Sequence, residues 1–447
     1  MKILIKNAKI INEGKIIKSD LLISNDIIRE VAKKISPNGD EKIIDIEGCY
    51  LLPGLIDDQV HFREPGLTHK GTIYSESKAA VAGGVTSFFE MPNTKPQTTT
   101  IEELKNKFDL ASKNSFSNYS FMFGGTNNNL SEIKKLDFSE IPAIKLFLGS
   151  STGNMLIDDY DIIEKIFNYS KVPVVVHSED EEIIKKNLKT YKEKFGDKIP
   201  FEYHSKIRSE ESCFKSTERI INLAKKTNSR LHVFHLSTRL ESKLFSRDIP
   251  LKNKKITSEV CIHHLSFDDN DYKTKKGFIK WNPSVKSKDD QNGLWESLND
   301  GRIDVVATDH APHTYEEKNN NYINCPSGGP LVQHSLNVMF EHYLSKKISL
   351  EKIVEKMCHN PAILFRIKNR GYIRKNYYAD LVVLDPNKDY KVDKSNILYK
   401  CGWSPFEGTT FDASIEKTFV NGNLVYNQGE IIESSLGKKL TFDRKIH

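Results

Sequence analysis

The chain has 447 residues, more than the ~250–300 that one hydrophobic core usually serves, so a large unit with a smaller companion is expected. Hydrophobic residues (38%) and aromatics (10%) are enough for a core, and a net charge of +6 spread without a long basic tract reads as a Lys-rich surface, not a nucleic-acid-binding one. The six cysteines, at 49, 213, 261, 325, 358 and 401, form no CxxC pair, which points to a reduced, cytoplasmic protein and away from a disulfide scaffold. Lys6, Asn7 and Lys9 interrupt the apolar start, so no signal peptide is read there, and no run of about 18 apolar residues offers a membrane span.

In chain order, residues 1–50 read as short strands: ILIKNAKII, KIIKSDLLIS and EKIIDIEG. The C-terminal part reads alike, with YYADLVVLD, IEKTFVNGNLVY and GEIIES as strands and Asn421-Gly422 as a hairpin turn. Residues 1–52 and 371–447 are therefore expected to build one small β domain around a central unit, 53–370. That centre holds eight short apolar runs: 55–62, 85–92, 119–125, 143–149, 172–178, 230–237, 256–264 and 303–310. Charged, helix-compatible stretches such as TIEELKNKFDLASKN and DDYDIIEKIFNYS separate them. Strands alternating with helices predict a parallel sheet, and eight such units predict a (β/α)8 barrel, with a doubly wound open sheet as the rival. The polar, Gly/Pro-rich stretch 313–334 after the eighth run is either a lid or a disordered insert.

Metal-competent residues fall at the ends of the predicted strands: His61, Lys145, His177, His235 and Asp309. In a barrel these ends share one face, where active sites lie. Imidazole and carboxylate are the ligands of a catalytic zinc-type site, whose ion lowers the pKa of a bound water to about 7 and so yields hydroxide as the nucleophile. Asp309 is placed to act as acid and base. Lys145, within Ala-Ile-Lys-Leu-Phe-Leu, either leans out at the rim or faces the site, where carbamylation would turn it into a bridging carboxylate.

Beyond single residues, DDQVHFREPGLTHKG, GGVTSFFEMPNT, KLFLGSS, VVVHSED, LHVFHLST, EVCIHHL, KWNPSVKS, ATDHAPHT, GYIRKNYYADLVVLDP and GWSPFEGTTF resemble class I dihydroorotases of the amidohydrolase superfamily. The resemblance runs through nearly the whole chain. It implies a distorted (β/α)8 TIM barrel with a β-sandwich from both termini, one or two Zn2+ per chain, and reversible cyclisation of N-carbamoyl-L-aspartate to L-dihydroorotate and water in pyrimidine biosynthesis. It implies that His61 and Asp309 hold a first metal, His177 and His235 a second, and Lys145 the bridge. Arg63, Asn93 and His313 would hold the substrate carboxylate, with Asn282 beside them. Homo-oligomerisation and association with aspartate transcarbamoylase are left open.

One departure stands out. The family's HxH motif reads Gln59-Val60-His61 here, and a neutral amide is a weaker zinc ligand than imidazole. A hydantoinase or allantoinase, or a non-catalytic scaffold, are the rival readings. His232, three residues from His235, reads as structural. His310 is expected to pack on or orient Asp309, and His263 and His264 receive no role.

Overall fold

The computed structural model describes residues 2–149, 155–433 and 436–444. The end of the KLFLGSS motif lies outside them. The eight apolar runs all become parallel barrel strands: Leu55–Val60, Val85–Glu90, Asn118–Phe121, Ile144–Phe147, Val174–His177, Leu231–Val233, Ile256–Cys261 and Val305–Ala307. The third strand continues through Phe123–Gly124, which pairs with the fourth. The last strand meets the first through a parallel bridge of Val60 to His310, and the His61 amide donates to His310 O at 2.7 Å. That contact closes the ring, and the open-sheet rival falls with it.

The helices between strands start where the sequence supplies caps. Thr100 accepts from the Glu103 amide and opens Ile101–Asn114, which turns Leu104, Phe108 and Ala111 inward. Asp159 caps Tyr160–Tyr169 in the same way, and Ile163, Ile166 and Phe167 are its buried face. The N-terminal mouth of the barrel is filled from outside: Phe365 packs edge-on against Phe89, and Phe442 also reaches that ring.

Both termini enter one nine-stranded sheet, ordered Glu430–Ile431, Asn423–Asn427, Ser414–Val420, Leu381–Asp385, Tyr50–Pro53, Lys2–Asn12, Lys15–Ser24 and Ile27–Ala32, with Glu41–Asp45 pairing alongside Lys2–Asn12. Side chains from the two halves of this path, such as Ile3, Leu21, Leu381 and Phe419, share one apolar cluster. Asn421 and Gly422 both take positive φ, 49° and 76°, the pattern of a type I′ hairpin turn. Ile27–Ala32 and Tyr50–Pro53 are strands that the sequence reading did not separate.

Asp380 ties the sheet to the barrel. Its carboxylate accepts from the Asn421 amide at 2.8 Å and from Asn118 Nδ2 at 3.3 Å, and it forms a buried ion pair with Arg370. Asn118 lies on the third barrel strand. Removing one partner of a buried pair leaves the other charge uncompensated, so Asp380→Ala should lower unfolding stability by about 3–5 kcal/mol, read as a drop in the urea midpoint. A change within about 0.5 kcal/mol would show that the junction does not depend on this carboxylate.

Candidate active site

At the C-terminal end of the barrel a small polar cavity is lined by residues from most of the strand ends, including Gln59, His61, Arg63, Asn93, Lys145, His177, His235, Asn282 and Asp309. All the candidate site residues read from sequence reach it except His313. Three of them, Arg63, His235 and Asp309, have φ of 72°, 41° and 49°, left-handed values that cost non-glycine residues free energy and cluster at functional sites.

The polar groups fall into two pairs with a lysine. On one side, His61 Nδ1 donates to Asn93 Oδ1 at 2.8 Å, so the neutral ring turns the Nε2 lone pair toward Asp309 Oδ1, 3.3 Å away. Burial first, then the nearby Arg63 charge, keeps His61 unprotonated. Burial also raises the Asp309 carboxyl to about 7, against the pull of Lys145 and His177. Gln59 Nε2 donates to the same Asp309 oxygen at 3.2 Å, and Trp281 Nε1 donates to the Asp309 carbonyl at 3.4 Å.

On the other side, His177 Nδ1 and His235 Nε2 lie 3.1 Å apart, and burial holds both rings neutral. Glu179 Oε2 sits 3.0 Å from His177 Nε2 and is itself paired with Arg208. Burial alone would raise the Glu179 carboxyl, but Arg208 and His177 together hold it at about 2. An ionised Glu179 assigns the His177 proton to Nε2, so Nδ1 offers a lone pair to the cavity.

Lys145 Nζ is buried without a hydrogen-bond partner, over the rings of Phe147 and Phe234 at 4.8 and 4.3 Å. Burial pulls its pKa down to about 7, so a neutral amine is accessible near neutrality. The inward-facing reading of Lys145 thus holds, and the rim reading does not.

His313 is fully buried behind Arg63. Lys70 Nζ donates to its Nδ1 at 2.9 Å, and Ser327 O lies 3.0 Å from its Nε2. Arg63 Nη2 contacts the same nitrogen at 3.1 Å, and Nε donates to Pro312 O at 2.9 Å. His310 does not orient the Asp309 side chain: its Nε2 faces Glu76 at 2.9 Å and its Nδ1 accepts from the Leu331 amide at 3.0 Å. His263 stacks on Trp281 at 4.4 Å, and His264 Nε2 donates to Pro283 O at 3.2 Å.

The 313–334 stretch is ordered. Lys280 Nζ donates to Tyr322 O and Cys325 O, and Lys318 Nζ donates to Lys280 O and Pro326 O. These bonds seat Ser327 and Gly328 on the cavity wall. Sequence reading missed Glu179, Arg208, Lys70 and Trp281, although Glu179 stands two residues from His177 in the quoted VVVHSED.

The amidohydrolase family model matches residues 50–425. The chain belongs to the amidohydrolase family. It is 35% identical to the dihydroorotase of Carboxydothermus hydrogenoformans, over 96% of this chain and 99% of that enzyme. Identity to the dihydroorotase of Methanosarcina acetivorans is 32%, over 99% of this chain and 97% of that one. Among solved structures, the L-hydantoinase (dihydropyrimidinase) of Arthrobacter aurescens superposes with a TM-score of 0.92 at 26% identity, covering 98% of this chain and 99% of that one. Family membership places the chain among hydrolases on a TIM barrel, and no helix among the described residues is long and apolar enough to cross a membrane.

Proposed function

We propose that this chain is a cytoplasmic dihydroorotase, interconverting N-carbamoyl-L-aspartate and L-dihydroorotate, with residues 53–370 as its catalytic barrel. The observation that carries the reading is the buried Arg63 guanidinium on the cavity wall. Among the described residues no carboxylate lies within ion-pair distance of it. A buried guanidinium without a counter-ion is costly, and a substrate carboxylate is the planar acceptor that matches it.

The donor set fits divalent metal. Two ligands about 2.0–2.1 Å from one zinc at the tetrahedral angle lie about 3.4 Å apart. The His177–His235 and His61–Asp309 separations, 3.1 and 3.3 Å, are of that order. His61 Nε2 and His177 Nδ1 each turn a lone pair toward the facing group of the pair. The unpartnered Lys145 amine, neutral near pH 7, is the form that takes up CO2 to become a carbamate bridge. Gln59 keeps an amide at the first pair, and a half-turn of that amide would present its oxygen instead. Zinc bound here would polarise the amide carbonyl and activate water.

The chain's own groups do the rest. Arg63 holds the substrate carboxylate, with His313, fixed by Lys70 and Ser327, behind it. Asn93 fixes the His61 tautomer. Asn282 Oδ1, buried and without a hydrogen-bond partner, is an acceptor for a ring N–H. Asp309, near pKa 7 before any metal binds, gives a proton to the ring nitrogen on opening and takes it back on closure. The similarity to an L-hydantoinase supports a second reading, hydrolysis of a ring without a carboxylate.

Arg63→Met separates the two. Losing a charge-assisted bond costs about 1.5–3 kcal/mol, roughly ten- to a hundredfold in kcat/KM for dihydroorotate, with little change for the neutral ring dihydrouracil. Equal losses on both, or faster turnover of dihydrouracil by the wild type, would sink the dihydroorotase assignment. The positioning role of Glu179 has its own check: Glu179→Gln should weaken zinc retention about 10- to 100-fold in chelator competition, at unchanged circular dichroism. Undiminished retention would show that Glu179 does not orient His177 toward a metal. Gln59→His should raise zinc occupancy after mild chelation, and no gain would place Gln59 outside the metal's reach.

A further inference from the structure

Inside the barrel, apart from the residues that line the cavity, three ionisable side chains converge: Asp58 from the first strand, His232 from the sixth and Glu259 from the seventh. All are fully buried. His232 Nε2 lies 3.5 Å from Asp58 Oδ2 and 3.8 Å from Glu259 Oε2. These atoms, together with Asp58 Oδ1, have no hydrogen-bond partner.

The His232 tautomer is fixed from behind. The one hydroxyl proton of Thr257 goes to Leu231 O at 3.2 Å, so Thr257 Oγ1 must accept from His232 Nδ1, 2.9 Å away. Nδ1 therefore carries a proton whether the ring is neutral or charged. Burial would lower the ring's pKa, but Asp58 and Glu259 outweigh it and raise the pKa to about 9. A divalent cation would take the place of the Nε2 proton between the two carboxylates. An Nδ1–H bonded to an acceptor behind an imidazole that faces carboxylates is the arrangement of a metal-bound histidine. The distances agree. At 3.5 and 3.8 Å they exceed an N–H···O hydrogen bond, about 2.7–3.2 Å, but suit the edges of a coordination polyhedron with ligands about 2.0–2.2 Å from its centre. Two carboxylates, a neutral imidazole and a divalent ion sum to zero charge, which a dry interior favours. Glu259 Oε1 is engaged separately, accepting from the His235 amide at 3.2 Å and from Cys261 Sγ at 3.3 Å, so Oε2 is left for the cluster.

We propose that Asp58, His232 and Glu259 form a structural binding site for a divalent transition cation, of the Zn2+ or Mn2+ class, in the barrel interior, separate from any metal held by the cavity residues. The mixed nitrogen and oxygen donors select this class over Ca2+ and Mg2+, which prefer all-oxygen shells. The ion cross-links strands one, six and seven directly below the site.

The test uses the full chain, chelated and then reconstituted with Zn2+ or Mn2+, and anomalous diffraction at the corresponding absorption edge. The expected map has a peak enclosed by Asp58, His232 and Glu259, distinct from any peak among His61, Lys145, His177, His235 and Asp309. A water or no density at that point, with the cavity residues metallated, overturns the proposal. A peak here with nothing at the cavity would uphold it while removing the metal reading of the cavity. Asp58→Asn, chosen because Asp58 makes no hydrogen bond, should lose one metal equivalent per chain by elemental analysis. An unchanged count in the folded variant overturns the proposal, and if the variant does not fold the wild-type map decides.

Discussion

The closure of the last barrel strand onto the first governs everything above it. The backbone bond from His61 N to His310 O, with the Val60–His310 bridge, brings segments 250 residues apart into one wall. Gln59, His61 and Arg63 come from one side of that seam and Asp309 and His313 from the other. The seam itself is tied by Asp57, which accepts from the Thr308 hydroxyl at 2.6 Å. Because the ring is closed, inward side chains have little water to turn to, and each ionisable group must find a partner, lose its charge or wait for a ligand. Asp309 and Lys145, pushed from opposite directions to about 7, are the result.

Rigidity in the cavity comes from groups that never touch it. Arg208 fixes Glu179, which sets the tautomer of His177 and the direction of its lone pair. Lys70 holds the His313 ring from behind, and thereby the surroundings of Arg63. Trp403 Nε1 donates to His313 O at 2.8 Å, so a residue from the C-terminal part of the chain braces the Arg63 side of the cavity. The left-handed backbone at Arg63, His235 and Asp309 is held against its intrinsic preference by these bonds and by packing.

How much of this was legible beforehand follows from the range of each signal. The eight strands were readable because buried parallel strands are short continuous apolar runs, and the hairpin at 421–422 because Asn-Gly marks two consecutive positive φ values. The cavity residues were readable through strand ends and the quoted motifs. What escaped were pairings that depend on three-dimensional proximity alone. Nothing local in Ile-Arg-Ser marks Arg208 as the partner of a glutamate 29 residues earlier. His313 was expected to hold the substrate carboxylate and instead stands behind Arg63, outside the cavity lining, since strand-end position does not say how far a loop turns a side chain. His310 was expected beside the Asp309 carboxylate, but its ring is claimed by Glu76 and by the amides of the following loop.

His232 was read as structural from its spacing to His235, and it does face away from the cavity, but into a charged layer and not an apolar one. The reason lies on the first strand. Strict alternation would send Asp58 and Gln59 to opposite faces of the sheet. The pairing register with the second strand shifts between Asp57 and Val60, and such an irregularity re-aims side chains. Both consecutive residues consequently turn inward: Gln59 to the cavity, Asp58 to His232 below it. Gln59 also stands between the two levels: its Nε2 donates to Asp309, and its Oε1 lies 3.7 Å from Cys261 Sγ, whose one proton goes to Glu259 Oε1 at 3.3 Å. In this barrel Gln59 therefore separates the cavity carboxylate from the charged layer beneath it, with its amide nitrogen engaged above and its oxygen facing a thiol that is engaged below.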